Sequence, residues 1–407
     1  MNLSNLSRPQ KYLLLTALYF AQGVPFGLFS QAVPVVLRQA DTSLAVIGLS
    51  SLLAAPWGLK FLWAPWLDEA PPWGTRRKGW LIPIQLFAVA AMLALAFINP
   101  WQQTGALLAI VLLVNFLNAS QDVPTDGLAV DALSASERGI GNGIQVGGYR
   151  LGMLMGGAAA LVLIDRFGWQ LGLFACAGSL LVALLPVLFV RESEGEPTEH
   201  PTKAYRGMGE HFEVFVSFLK RPGILRVIFV IFAFKIGDAL GGGMVRPMLI
   251  DRGFTMKDIG EIAGGVGFTA AMIGTAFGAA VADLFPRRIA LFVAVLFQTI
   301  GAAVYILVLL GATDRSMVAG VIATENVLGA IATVVLFTVM MDWSRPEHSG
   351  ADYTMLASVV VVATGIGSLL SGFSAEAFGY IGHHTAAALI SLVGGALAVW
   401  AYRAPNA

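Results

Sequence analysis

Apolar runs long enough to cross a bilayer recur along the whole chain, and they constrain its fold more than any other feature. A helix rising about 1.5 Å per residue needs about twenty such residues to traverse the hydrocarbon core. Twelve segments approach that length, near residues 12–36, 44–65, 80–98, 105–133, 139–163, 170–189, 223–249, 257–282, 289–310, 317–341, 351–373 and 385–402. Hydrocarbon offers the backbone no hydrogen bonds, so runs of this kind fold as helices. Charged residues make up only 12% of the 407, about half the share of a soluble domain. The expected fold class is an all-α membrane protein with twelve transmembrane helices.

Basic residues orient those helices. Sixteen of the lysines and arginines fall in segments on the side of the N-terminus. Five fall on the opposite side (Arg38, Arg166, Arg252, Lys257 and Arg315), and Lys60, Arg150, Lys235 and Arg246 lie within helices. Cytoplasmic loops carry the excess of Lys and Arg, so both termini are expected in the cytoplasm. The run after Arg8 and Lys11 is too long for a signal-peptide core and lacks a small-residue cleavage site; it is expected as an uncleaved first helix. The one long polar connection divides six helices from six. This gives an N-terminal half over 1–190, a cytoplasmic linker over 191–222 and a C-terminal half over 223–407. The linker contains RESEGEPTEHPT, a flexible composition. Glu210–Leu219 reads either as an amphipathic helix on the membrane surface or as a frayed start to the next span.

The halves echo each other. Gly58, Asp68 and Arg76-Arg77-Lys78 follow helix two; Gly278, Asp283 and Arg287-Arg288 follow helix eight, with the two aspartates 215 residues apart. Repeated six-helix units are a signature of transporter halves. Asp68, Arg76, Arg77, Asp283, Arg287 and Arg288 are expected to act as a charge relay that gates conformations. Ordinary positive-inside loops account for the arginines but not for the repeated Gly and Asp.

Polar groups at membrane depth are expensive and mark function by default. Asn115, Asn118, Asp122 and Asp126 are spaced 3, 4 and 4, which places them on one face of helix four. Carboxylates that gain and lose a proton as hydration changes are what proton coupling needs, so Asp122 and Asp126 are expected to carry it, with Asp238 and Glu325 as further candidates. Pro124, between the two acids, is expected to kink or open the helix; alternatively the helix ends near Val123 and the acids are interfacial. Gly139, Gly141, Gly143, Gly147, Gly148, Gly152, Gly156 and Gly157 give helix five a surface suited to close packing. Arg150 must be paired, either with Asp122 or Asp126 in a clamp or with an anionic substrate. Lys235 and Asp238 stand three apart on helix seven, where they can pair. Gly241-Gly242-Gly243 is expected to interrupt that helix ahead of Arg246-Pro247, and broken helices at membrane depth line cavities or lie buried in protein. Arg150, Lys235, Arg246, Asn115, Asn118 and Gln22 form the expected substrate-binding set, placed between the halves near the midplane. Asn326, Pro25 and Gln31 add polar or irregular points. Lys60 is expected to snorkel to the interface, and Trp57, Trp63, Trp66 and Trp73 to form an interfacial belt.

Four stretches resemble one family: YFAQGVPFGLFSQAVPVVLR in helix one, PWGLKFLWAPWLDEAPPWGTRRKGW after helix two, QDVPTDGLAVDAL…ERGIGNGIQVGGYRLGMLMGG across helices four and five, and FKIGDAL in helix seven. All are similar to the AmpG-related branch of the major facilitator superfamily. That branch includes muropeptide permeases, acetyl-CoA transporters and siderophore permeases of the RhtX/FptX type. AmpG-type permeases typically carry additional helices; the compact length and the QDVPTDGLAV form are more similar to the RhtX/FptX group. The resemblance implies a permease of the bacterial inner membrane that imports a ferric siderophore from the periplasm; proton coupling and a monomeric state are expected beside it. Matching motifs carry Asp122, Asp126, Arg150 and Asp238 over as residues to test. A muropeptide cargo keeps the class and changes the substrate, and sequence alone does not fix the direction of transport.

Other classes fare poorly. Zero net charge gives no electrostatic case for nucleic acid. The single cysteine, Cys176, cannot form an intramolecular disulfide and reads as a small buried hydrophobe. His383-His384 is expected at a membrane edge, without a metal. No cofactor is expected. An intramembrane enzyme lacks its motifs: there is no Tyr-Asp with Gly-x-Gly-Asp and no His-Glu-x-x-His.

Overall fold

Helix accounts for every regular element in the computed structural model, which describes residues 6–68, 77–133, 138–190, 216–311, 314–344 and 349–404. There is no strand among the described residues. Arg76, the Asp68 side chain, and most of the expected linker and surface helix lie outside them. The main helices are α1 (Arg8–Gln39), α2 (Leu44–Leu59), α3 (Lys78–Ala96), α4 (Thr104–Ala132), α5 (Arg138–Leu154), α6 (Trp169–Phe189), α7 (Ile224–Gly243), α8 (Met256–Leu284), α9 (Arg287–Leu309), α10 (Arg315–Trp343) and α11 (Ser349–Ala401). Among the described residues, nine spans are long and apolar enough to cross a membrane. The exceptions have visible causes. The second pass is broken into short α and 3-10 turns from Leu44 to Asp68. Helix α7 carries Arg226, Lys235 and Asp238 within 20 residues.

The last two expected helices run as one element, α11, with a break at Gly379, whose φ of 64° favours a residue without Cβ. Helix α4 continues through Pro124 to Ala132, so both acids lie inside it, and neither a local opening nor an end at Val123 is seen. Helix α7 likewise runs through Gly241 and Gly242; its break falls at Met244, after which Val245–Asp251 resumes. In α1 the ladder loosens into a π turn at Leu28–Ala32, just past Pro25, which cannot donate a backbone hydrogen bond.

The described residues group into two units. The first gathers Met1–Thr42, Ser50–Glu196 and Leu249–Gly264; the second gathers Ser43–Leu49, Pro197–Met248 and Gly265–Ala407. In the first, Leu14 and Leu18 of α1, Leu81 of α3, Leu128 of α4 and Leu184 and Val187 of α6 form an apolar cluster. The second is cored by Val230 and Phe234 of α7, Leu291 and Val295 of α9, Val335, Leu336 and Trp343 of α10, and Leu356 of α11. Many large apolar residues remain exposed, among them Phe87, Phe189, Phe277 and Phe292, as expected of surfaces that meet lipid tails.

Glycines set the closest approach in the first unit. A Cβ at Gly23 would lie 2.8 Å from the Met153 nitrogen, and one at Gly152 would lie 2.8 Å from the Gly23 Cα. Helices α1 and α5 therefore pack backbone to backbone. Gly148, Gly152 and Gly156 face α1, while Gly147 faces open space.

Candidate functional site

In the first unit, Asp122 and Asp126 stand one turn apart on α4, each with its own partner. Lys60 reaches Asp122 as an ion pair, with Lys60 34% and Asp122 14% exposed at the side chain. Tyr19 of α1 donates its hydroxyl to Asp126 at 2.9 Å. These partners replace the expected Arg150 clamp at both carboxylates. They also correct the snorkelling role expected of Lys60, whose local geometry explains the change. The 3-10 turn Lys60–Leu62 bends the chain, and nearby Trp63 donates to Ser120 of α4 at 3.0 Å, which fixes the turn against that helix. Trp63 is thus a tertiary contact rather than a simple belt residue, while Trp66 is 72% exposed. Arg150 lies half-buried on α5, next to Tyr149.

Further into α4 the expected polar face is neutral and enclosed. Asn115 donates to the Leu53 carbonyl at 2.9 Å, and Asn118 to the Gln22 carbonyl at 2.8 Å. Gln121 donates to Gln85 at 3.2 Å, and Gln85 to the Leu180 carbonyl at 2.7 Å. Amides therefore tie α4 to α1, α3 and the turn before Trp57.

The second unit holds another polar cluster. Lys235 pairs with Asp238 on α7, as the spacing implied. Asp238, Gly241 and Gly242 of α7, Gln298, Gly301, Ala302 and Tyr305 of α9, and Glu325 and Gly329 of α10 line a small cavity. Glycines at these positions leave the space, and polar side chains on three helices face it. Tyr305 donates to Glu325 at 3.1 Å, and Asn326 donates to the same carboxylate at 2.9 Å. Arg246 is half-buried, within electrostatic reach of Tyr305 and Glu325, and its Nε finds no hydrogen-bond partner among the described residues.

Neither tyrosine was singled out from the sequence, because a hydroxyl in an apolar run carries no charge to draw the eye. His383 and His384 are fully enclosed; His383 lies beside the Leu240 and Gly241 carbonyls and His384 beside that of Ala302, with the Tyr305 ring 5.2 Å away. No group of three or more ligating side chains suited to a metal occurs among the described residues.

The gating residues are partly rearranged. Arg77 is buried, its guanidinium lying where a Cβ on Gly127 of α4 would sit. Arg287 pairs with Asp342 of α10 at 2.6 Å and donates to the Ala282 carbonyl. Asp283 and Arg288 are exposed. The ion pair beside the second basic turn therefore uses an acid 55 residues away rather than the acid within the turn.

An all-helical chain with two such units and ionisable clusters inside them has the makings of a polytopic permease, and comparison supports this. The Major Facilitator Superfamily profile matches residues 15–324. The chain belongs to the major facilitator superfamily. Its relatives include the anhydromuropeptide permease of Escherichia coli K12, 31% identical over 374 residues, covering 90% of this chain and 74% of the relative. Another is the putative transporter AmpG 4 of Rickettsia conorii, 23% identical over 390 residues and 94% of each chain. A crystal structure of a bacterial homolog to the human lysosomal transporter Spinster, in an inward-facing and unoccupied conformation, matches with a TM-score of 0.71 at 15% identity. It covers 97% of this chain and 98% of the other. The nucleoside transporter NupG (D323A mutant) gives 0.71 at 12%, covering 97% and 100%. At these identities the two structures speak for the fold alone.

Proposed function

We propose that this protein is an inner-membrane permease for a muropeptide-type solute, an amino sugar bearing a peptide. The observation that carries the reading is the similarity to the anhydromuropeptide permease along nine-tenths of the chain. It favours the muropeptide alternative over the siderophore cargo suggested by the compact length. The neutral amide wall of the first unit supports it as well, because hydroxyl- and amide-rich solutes are recognised by such groups.

In this reading the cargo is bound by Gln22, Asn115, Asn118, Arg150, Lys235 and Arg246. The coupling ion is the proton, carried by Asp122 and Asp126 in the first unit and by Asp238 and Glu325 in the second. Each of these carboxylates has a nearby partner able to follow a change in charge: Lys60, Tyr19, Lys235 and Tyr305 respectively. Arg77 and Arg287, together with Asp68, Arg76, Asp283 and Arg288, control conformational change from the cytoplasmic turns. The protein works as a monomer with both termini in the cytoplasm.

Proteoliposomes holding the purified protein and an imposed inward proton gradient test this reading. Labelled anhydromuropeptide should accumulate and a panel of ferric siderophores should not. The Asp122→Asn/Asp126→Asn variant should equilibrate solute without concentrating it. Siderophore uptake without muropeptide uptake would restore the other cargo, and uphill uptake by the double variant would remove these two residues from coupling.

A further inference from the structure

In the second unit, the ends of several helices gather around one indole. Trp343, the last residue of α10, donates its Nε1–H at 3.1 Å to the carbonyl of Arg403, just beyond α11. The Trp343 carbonyl accepts from Arg221, just ahead of α7, and the Arg221 guanidinium lies 3.7 Å from the buried Asp352 of α11. Arg287, the first residue of α9, pairs at 2.6 Å with Asp342, the chain neighbour of Trp343. Tyr402 closes the group. Its ring lies 5.5 Å from that of Trp343, and Arg287 and Asp342 are both within its electrostatic reach. Phe218, Ile224 and Ala290, from the same stretches, pack in one apolar cluster with Trp343.

Acids at this end are already matched. Asp352 faces Arg221, Asp342 faces Arg287, and Asp283 lies within electrostatic reach of Arg287 as well. Lys220, Arg226, Arg288 and Arg403 are a different case. All four are exposed, and none makes an ion pair with a described residue. Three of them have an exposed apolar neighbour in the chain: Leu219 beside Lys220, Leu225 beside Arg226 and Ile289 beside Arg288. A soluble anion would meet the cations and leave those apolar side chains unused. The boundary between headgroups and acyl chains asks for both at once. The positive-inside bias accounts for cations in separate loops, but it does not require contacts that draw those loops to one tryptophan.

We propose that this end of the second unit binds an anionic phospholipid. Its phosphate is met by Lys220, Arg226, Arg288 and Arg403, and its acyl chains lie against Leu219, Leu225 and Ile289. Basic pockets between membrane helices suit such headgroups. A bound headgroup joins the approach to α7, the basic turn before α9 and the chain beyond α11. The proposal holds for any cargo.

The purified protein in detergent is titrated with cardiolipin, with phosphatidylcholine and with inorganic phosphate. Bound lipid is counted by native mass spectrometry, and the melting temperature is followed in parallel. Cardiolipin should bind and raise the melting temperature, phosphatidylcholine should do so far less, and inorganic phosphate should not displace the lipid. The Lys220→Gln/Arg226→Gln/Arg403→Gln variant keeps the ion pairs of Arg221 and Arg287. It should bind cardiolipin roughly a hundredfold more weakly, at about fivefold for each basic residue beside an anionic lipid. Arg315→Gln, at the opposite end of α10, should bind as wild type does. Added salt should weaken wild-type binding and change that of the triple variant little. Equal binding of the two lipids, or undiminished cardiolipin affinity in the triple variant, would overturn the proposal. Displacement by inorganic phosphate would also overturn it, in favour of a site for a free anion.

Discussion

Replacing Gly152 with alanine should separate α1 from α5. The added Cβ would lie 2.8 Å from the Gly23 Cα, 2.9 Å from the Val24 nitrogen and closer still to the Phe20 carbonyl oxygen. Ordinary contacts of this kind begin at 3.4 Å, so the helices must part by about half an ångström or more. All three obstacles are backbone atoms, and no rotamer change can relieve them. Overpacking at such a point costs about 1–3 kcal/mol, because the whole backbone-to-backbone face loses dispersion contact when its closest point is pushed apart. Gly147→Ala is the control. Gly147 lies on the same helix and a Cβ there meets nothing within 4 Å, so alanine should gain about 0.5–1 kcal/mol of helix preference. Thermal unfolding of the purified protein in detergent should place Gly152→Ala several degrees below wild type and Gly147→Ala at or above it. The Gly23→Ala/Gly152→Ala pair should cost less than the sum of its parts, since one separation makes room for both methyl groups. Equal melting of Gly147→Ala and Gly152→Ala would refute the reasoning.

Three further outcomes follow from single contacts. Lys60→Met strips the cation from Asp122 and should destabilise by about 1–3 kcal/mol, less than a fully buried pair because Lys60 is a third exposed; adding Asp122→Asn should recover most of the lost melting temperature. Gly127→Ala would occupy the space of the Arg77 guanidinium, a flexible end able to move aside, so melting should hold within about 1 kcal/mol while the uptake rate falls if Arg77 gates transport. Asp314, exposed at the start of α10, accepts from the Ser316 N–H and hydroxyl, and these bonds hold its carboxyl below the ordinary carboxylate range. Its capping contribution is complete above the ordinary carboxylate range and is lost as pH falls through the depressed value. Acid melting curves of wild type and Asp314→Ala should therefore converge at low pH, and a gap that persists there would sink the argument.

The helices were legible because a bilayer converts length and hydropathy directly into structure. The polar face of α4 was legible because its spacing of 3, 4 and 4 survives an embedded proline. Partners were harder. Lys60 and Asp122 are 62 residues apart, and only the 3-10 turns of the second pass bring them together; a sequence reads the same turns as part of one long apolar run. Tyr19 and Tyr305 look like ordinary aromatic filling until a carboxylate is found beside them. His383 and His384 follow Gly379 closely, and a break in α11 at that glycine sets the direction of the helix that encloses them. The interruption expected at Gly241–Gly243 comes at the end of that run: α7 stops at Gly243 and the chain resumes as helix at Val245, while Gly241 and Gly242 line the cavity beside it.

The two units solve the same problem with the same chemistry. Among the described residues each contains a Lys–Asp pair, Lys60 with Asp122 and Lys235 with Asp238. Among the described residues each also contains a carboxylate that accepts from a tyrosine, Asp126 from Tyr19 and Glu325 from Tyr305. Those tyrosine-bonded acids sit on α4 and α10, the fourth long helices of the two expected halves, although their tyrosines come from different helices. The basic turns repeat more faithfully. Arg77, just before α3, packs on the later part of α4 at Gly127, and Arg287, at the start of α9, pairs near the end of α10 at Asp342. What the two units share here is where an arginine meets the later part of the acid-bearing helix. An arginine fixed to the end of that helix is mechanically joined to the carboxylate within it. Under the proposed coupling, protonation of Asp126 or Glu325 would be felt at the basic turn through that helix. Removing Tyr19 should accordingly disturb the same step of transport as removing Arg77.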